Sequence, residues 1–279
     1  MSFVRFSRVA ALAAVGLVLT VGGCKRKEDK AETPTPAQPG VASAVVTPAE
    51  AAAPFSYKTT SPDAQVELTL PASLKAQPDL HAQLYAAGVK DLKAFAEGAA
   101  AERSEMAEEG VSGPPYARGL AWSTSAETSK LLSLEKKEYE YAGGAHSNSA
   151  YGALIWDKAM KRGVAPAALL RKDADFARLD AALCAAVTRA KTERPGAMPL
   201  GGEMWTCPKW RESTFVLAPS NQAGKAGGLI FLFPPYAIGP YAEGAYEVTV
   251  PYEVFAPYLA PAYADEFAGA PVLRTAETG

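Results

Sequence analysis

Apolar residues recur at two different periods along this chain, and the order in which those periods alternate restricts it to an α+β fold of antiparallel sheets with packed helices. Alternation in twos over residues 55–60 and 66–70, with Ser61, Pro62 and Asp63 between them as turn formers, predicts an opening hairpin. From Asp79 to about Met106 the period lengthens, and Leu80, Leu84, Leu92, Phe95 and Ala99 fall on one face of a helix expected to pack on that sheet. Strand patterning returns over residues 120–128, 131–141 and 151–156, where a second antiparallel sheet region is expected to begin. Residues 173–191 read as a second helix with an apolar stripe of Phe176, Leu179, Leu183, Ala186 and Val187, ended by Pro195 and Gly196. Strands at 213–217, 228–233 and 245–250 come next, then a short helix over 251–259. No internal repeat is visible.

The residues ahead of this body carry a different signal. Arg5 and Arg8 precede an apolar run over residues 9–21, and Val21, Gly22 and Gly23 lead into Cys24. That is the layout of a bacterial lipoprotein signal. The run holds 13 residues, whereas a bilayer core takes about 20 in helix, so a cleaved leader over 1–23 and lipidation of Cys24 are expected. Lys25 stands where an aspartate would retain the protein in an inner membrane, which directs the expectation to the outer membrane, facing the periplasm. Residues 24–54 hold Pro34, Pro36, Pro39, Pro48 and Pro54 among many alanines, and Phe55 is their first aromatic neighbour. Such a stretch reads as an extended tether.

Charge and cysteines narrow the function classes. Without residues 1–23 the chain keeps 26 basic against 30 acidic residues, a net charge of −4. The one dense basic run, Lys25 to Lys27, lies beside the lipid site, where head groups suit it better than nucleic acid does. No nucleic-acid partner is expected. Cys184 and Cys207 remain as an even pair in an oxidising compartment, so one disulfide is expected. Their spacing and the lack of nearby histidine make a poor zinc site. No phosphate-binding glycine loop, GxSxG or HExxH occurs, and no cofactor is expected.

Two motifs carry the functional reading. Tyr141-Ala142-Gly143-Gly144-Ala145-His146-Ser147-Asn148 leads into an aromatic strand, and Gly228 to Gly244 reads GLIFLFPPYAIGPYAEG. The pairing resembles the extracytoplasmic region shared by RsiV anti-sigma factors and the non-catalytic N-terminal part of PdaC peptidoglycan deacetylases. It implies a PdaC-like domain over 55–145, an RsiV-like domain over 146–262 and a tail over 263–279. In RsiV-type proteins the region binds lysozyme, so the resemblance implies a binding role toward a lysozyme-type muramidase or peptidoglycan. The anti-sigma and deacetylase activities depend on segments that are not read in this chain and are not expected to carry over.

The candidate binding residues are therefore Gly143, Gly144, His146, Asn148, Tyr236, Pro240, Tyr241 and Gly244. Two glycines permit positive-φ turns, and tyrosine supplies contact area with a polar tip. His146 is also the candidate for cell-wall chemistry, set against a structural role in tying its loop. Trp205 and Trp210 flank Cys207 and could stack on sugar rings, or more plainly cover the disulfide. His81 reads as a surface or helix-capping residue. The carboxylate pairs Glu108 and Glu109, and Asp173 and Asp175, read as solvated, since nothing would separate their protonation as a glycosidase pair requires. The expectation is a non-enzymatic, lipid-anchored envelope module, with a cell-wall enzyme or a structural part of an envelope complex as the alternatives.

Overall fold

The structure is a computed structural model that describes residues 53–202 and 204–274. The leader, Cys24 and nearly all of the tether lie outside the described residues. The opening hairpin forms as expected: β1 (Ser56–Thr60) pairs antiparallel with β2 (Ala64–Thr69), and Ser61 Oγ accepts the Ala64 N–H at 3.0 Å in the turn. Helix α1 (Pro78–Glu108) begins with proline at its first turn, where the missing N–H costs no hydrogen bond. It sets Leu80 and Leu92 against Val66, Leu68, Leu120 and Leu134 of the sheet.

The strands after α1 do not form the expected second sheet. The chain returns as β3 (Tyr116–Glu127), parallel to β2, and continues through β4 (Leu131–Tyr141), β5 (Asn148–Asp157) and the short β6 (Arg162–Gly163). One six-stranded sheet results, in sequence order β1 to β6. A helix between two strands brings the chain back in the same direction, so β3 joins the first sheet instead of starting another. The expected domain boundary after Ala145 is crossed by ten paired positions between β4 and β5.

Helix α2 (Phe176–Glu193) is capped by Asp175, whose Oδ1 accepts the Arg178 N–H at 3.1 Å. It covers one face of a three-stranded antiparallel sheet, β7 (Phe215–Pro219), β8 (Ala226–Phe233) and β9 (Tyr246–Pro251). Strand β8 is buried along its whole length, because α2 lies on one face and the six-stranded sheet approaches the other. Edge strand β7 would present unpaired backbone groups. Two buried serines satisfy those of Leu217 at its centre: Leu217 N–H donates to Ser133 Oγ at 2.9 Å, and Ser125 Oγ donates to Leu217 C=O at 2.7 Å.

Three further expectations change. The short helix over 251–259 is instead two 3₁₀ turns, Tyr252–Val254 and Ala256–Tyr258, because Pro257 in a helix interior would remove a bond and clash with the preceding turn. Of the supposed tail, residues 263–274 belong to the body: Phe267 is buried, and bridges join Ala226 to Phe267 and Ser220 to Pro271. His81 is 2 % exposed, stacked on Phe55 with centroids 4.2 Å apart, and Nε2 lies 3.2 Å from Pro54 C=O. It fastens the start of the body to α1.

Cys184 on α2 and Cys207 are bonded, with Cα atoms 5.1 Å apart. The bridge closes a separation of 23 residues and pins the glycine-rich connection onto the helix. Replacing both cysteines by serine is expected to lower stability by about 3 kcal/mol, chiefly by freeing the unfolded chain. Urea unfolding at equal protein concentration would show this as a lower midpoint.

Candidate functional site

The two sequence motifs meet in space. The first forms the β4–β5 hairpin loop, in which Gly143 and Gly144 adopt φ of 84° and 88°, a region closed to most side chains. The second forms the connection from β8 to β9 over residues 234–245. There Pro234 and Pro235 stiffen the exit from β8, and Tyr236 takes φ of 71°, rare for a bulky residue. Tyr236 is also 53 % exposed. A strained backbone that holds an aromatic ring out to solvent is a mark of a functional surface.

His146 is the contact between the loops. Its ring stacks on Tyr241 at 4.0 Å and lies 6.2 Å from the Tyr236 ring, while the two tyrosines are 5.5 Å apart. Ser147 C=O lies 3.1 Å from His146 Nδ1 and accepts the Tyr241 hydroxyl at 3.0 Å. A carbonyl can only accept, so Nδ1 is the donor to Ser147, and Nε2 on the other side of the ring lies 3.4 Å from the Tyr236 hydroxyl. Nδ1 thus tightens its own loop, while Nε2 and the Tyr241 hydroxyl reach across to join the two. Asn148 is exposed at the start of β5, and Pro240 and Gly244 bracket the 3₁₀ turn Tyr241–Glu243, with Gly244 at φ of 70°.

A buried ionic cluster supports the second loop, and the motifs alone do not reveal it. Lys191 Nζ, 3 % exposed at the side chain, donates to Glu243 Oε2 at 2.5 Å and to Ile238 C=O at 2.8 Å. Glu243 also accepts Tyr246 Oη–H at 2.5 Å and Met198 N–H at 2.7 Å. Arg194 lies 3.7 Å from the Tyr246 ring centroid and donates to the Glu243 and Ala245 carbonyls. Burial alone would raise the Glu243 pKa, but bonds from Lys191, Tyr246 and Met198 outweigh it and hold the carboxyl below its usual range. Burial, with the bond to Glu243, pushes Tyr246 up to about 12. A Cβ on Gly239 would fall 2.3 Å from Glu243 Oε2, so only glycine leaves room for this pair. The signal for the cluster was Lys191 itself, four residues beyond Val187 in line with the apolar stripe of α2.

Next to this aromatic patch, the face of the six-stranded sheet away from α1 carries a groove of about 280 Å³. Glu67, Thr69, Lys137, Tyr139, Ser149 and Tyr151 line it. Tyr139 pairs with Ser149 on the hairpin whose tip holds His146, so groove and patch share one element. Burial, with Glu247 and Glu135 adding to it, pushes the Tyr151 hydroxyl up to about 12. It stays protonated and able to donate at any physiological pH.

The other candidates fall elsewhere. Trp210 is 2 % exposed and meets Phe231 edge-on at 4.8 Å, so it is a core residue and presents no ring to a sugar. Trp205 is only partly buried. Glu108, Glu109, Asp173 and Asp175 are not drawn into the patch; Asp175 caps α2. Among the described residues no group of three or more His, Cys, Asp or Glu is placed to hold a metal ion. Among them, too, no helix is long and apolar enough to cross a membrane.

Comparison with known proteins divides along the same two halves. Residues 58–149 match the family described as Deacetylase PdaC, and residues 169–253 match the Protein of unknown function (DUF3298). Each match contains one of the two loops, so the patch is built with one loop from each. A crystal structure of a DUF3298 family member from Bacteroides fragilis is similar with a TM-score of 0.56 at 18 % identity, covering 76 % of this chain and 95 % of that one. A DUF3298 family protein from Pseudomonas aeruginosa gives a TM-score of 0.48 at 14 % identity, covering 77 % of this chain and 94 % of that one. No curated protein matches. The likeness to the Bacteroides fragilis structure establishes a shared fold, and the matched segments are domains of unknown function.

Proposed function

We propose that this chain is a lipid-anchored, non-enzymatic envelope module that binds a basic protein of the lysozyme type through the patch of Tyr236, Tyr241 and His146. The observation behind this reading is the patch itself: the exposed rings of Tyr236 and His146 and the half-buried Tyr241, held by a strained backbone and a buried ionic cluster, beside an open groove. Tyrosines fixed in this way offer contact area with little conformational entropy to lose. The acidic balance after residue 23 favours a basic partner through long-range attraction. The RsiV-like pairing of the two motifs supports the same class of partner.

Binding of the purified chain to a basic muramidase, measured by calorimetry, tests this. Tyr241→Ala is expected to weaken binding by about 30-fold, the scale of an interface anchor worth about 2 kcal/mol. A muramidase that binds the wild type and the variant equally would rule out the patch.

A cell-wall enzyme acting through His146 has less support, since its ring nitrogens are engaged by Ser147 and Tyr236. Incubation with defined muropeptides and mass analysis separates the readings. Turnover by wild type that is lost in His146→Ala would favour the enzyme.

A further inference from the structure

On the same face of β4 as the groove residues Lys137 and Tyr139 lies a second feature that the aromatic patch does not use. Glu135 on β4 is fully buried, and its Oε2 accepts from the Arg274 guanidinium. Arg274 also donates to Glu247 Oε2 at 3.2 Å and to Ser125 Oγ at 2.5 Å. Glu135 Oε1 is buried without a hydrogen-bond partner, and the Lys137 ammonium stands 3.8 Å away from it. Two carboxylates and a hydroxyl thus converge on one planar cation, with an acceptor still unfilled.

The segment that delivers Arg274 is lightly held at its end. Pro271 rests on β8 where Gly227 leaves space, since a Cβ there would fall 2.6 Å from Pro271. Val272 N–H donates to Pro219 C=O at 2.8 Å. Beyond that bond Val272 and Leu273 are 48 % and 70 % exposed, so apolar packing contributes little to seating the arginine. The seat neighbours the open groove through Lys137, which lines the groove and lies 3.7 Å from Glu247 Oε1.

We infer that Glu135, Glu247 and Ser125 form a guanidinium-binding site, occupied from within the chain by Arg274 and open to exchange with an arginine brought by another molecule. A buried carboxylate is left costly when its cation departs, so the seat is mostly filled by Arg274 and its opening is favoured when another guanidinium takes its place. One guanidinium nitrogen serves both carboxylates while the other reaches Ser125, a spread of donors that a single ammonium cannot reproduce, which makes the site selective for arginine over lysine. Joined to the reading of a basic partner, on which this step rests, the site lets Arg274 act as an internal competitor that lowers apparent affinity by the fraction of time the seat is filled.

The test uses the full chain and Arg274→Ala, with methylguanidinium and methylammonium as probes at millimolar concentration, the range expected for so small a ligand. Methylguanidinium should raise the melting temperature of Arg274→Ala by a few degrees, act more weakly on wild type, and outperform methylammonium. Equal effects of both cations on both proteins would overturn the site. Should Arg274→Ala fold poorly, Arg274→Lys retains a cation, and the same preference for methylguanidinium is expected. Affinity for a basic muramidase should rise roughly tenfold in Arg274→Ala, the expected result if the resident arginine competes about ten to one. Rescue by methylguanidinium without any muramidase binding would keep the site and remove the muramidase reading. Muramidase binding without rescue would do the reverse.

Discussion

Glu243→Ala is expected to lower stability by about 3–5 kcal/mol, the range for stranding a buried charge by deleting its partner. Lys191 would keep only the Ile238 carbonyl, and Tyr246 and Met198 would each lose an acceptor. The double variant Lys191→Met/Glu243→Leu should recover much of that loss, since apolar side chains of similar size often replace a buried pair at little cost. Chemical unfolding of the three proteins measures both numbers. The pH dependence has a definite sign. Glu243 titrates lower in the folded state than its ordinary value of 4.5, so its contribution is complete above that value and is lost as pH falls through the depressed folded value. Tyr246 titrates at about 12 instead of 10.0, so its contribution is complete below pH 10 and fades as pH rises toward 12. Glu243→Ala should flatten the acid limb of the stability profile. Because Glu243 anchors the loop over residues 234–245, the same variant should weaken ligand binding even under conditions where it is folded.

Trp210→Ala is expected to cost about 3–5 kcal/mol by a different route, the cavity left by a large buried ring. Trp210 contacts three phenylalanines: Phe231 at 4.8 Å, Phe255 at 5.7 Å and Phe215 at 6.4 Å between centroids. These come from β8, the 3₁₀ segments after β9 and β7, while the Trp210 backbone N–H donates to Asp180 Oδ1 on α2 at 2.7 Å. The residue therefore ties sheet to helix three positions beyond the disulfide. Its neighbours are held by secondary structure and can collapse into the space only in part. Trp210→Phe should cost considerably less, and thermal unfolding of the pair would show the order. A small loss in Trp210→Ala would mean that the site collapses freely, contrary to this packing.

Local pattern carried the parts of this fold that depend on neighbours in sequence. The period of Leu179, Leu183 and Val187 marked α2, and Ser61 with Pro62 and Asp63 marked the first turn. Topology depended on longer reach. Nothing in residues 116–127 tells that strand to lie parallel to β2, which becomes evident only once α1 is known to pack across both. The same limit applied to residues 263–274, whose composition looks like a tail but whose Phe267 and Glu266 are buried by elements far away in sequence. At the site, the motifs pointed to His146, Tyr236 and Tyr241, and the three rings do meet. The ions beneath them did not stand out, because a lysine or glutamate reads as solvated until a partner is seen opposite it. Lys191 in line with an apolar stripe was the available clue, and Glu135 amid the alternation of β4 was another.

The central claim is that one partner-binding face is built from both loops. Hydrogen exchange of the purified chain, alone and with saturating basic muramidase, tests it most directly. Slowed exchange is expected in residues 142–148 and 234–245 together, with little change on the exposed side of α1. Binding with no protection in either loop, or protection confined to α1, would contradict it.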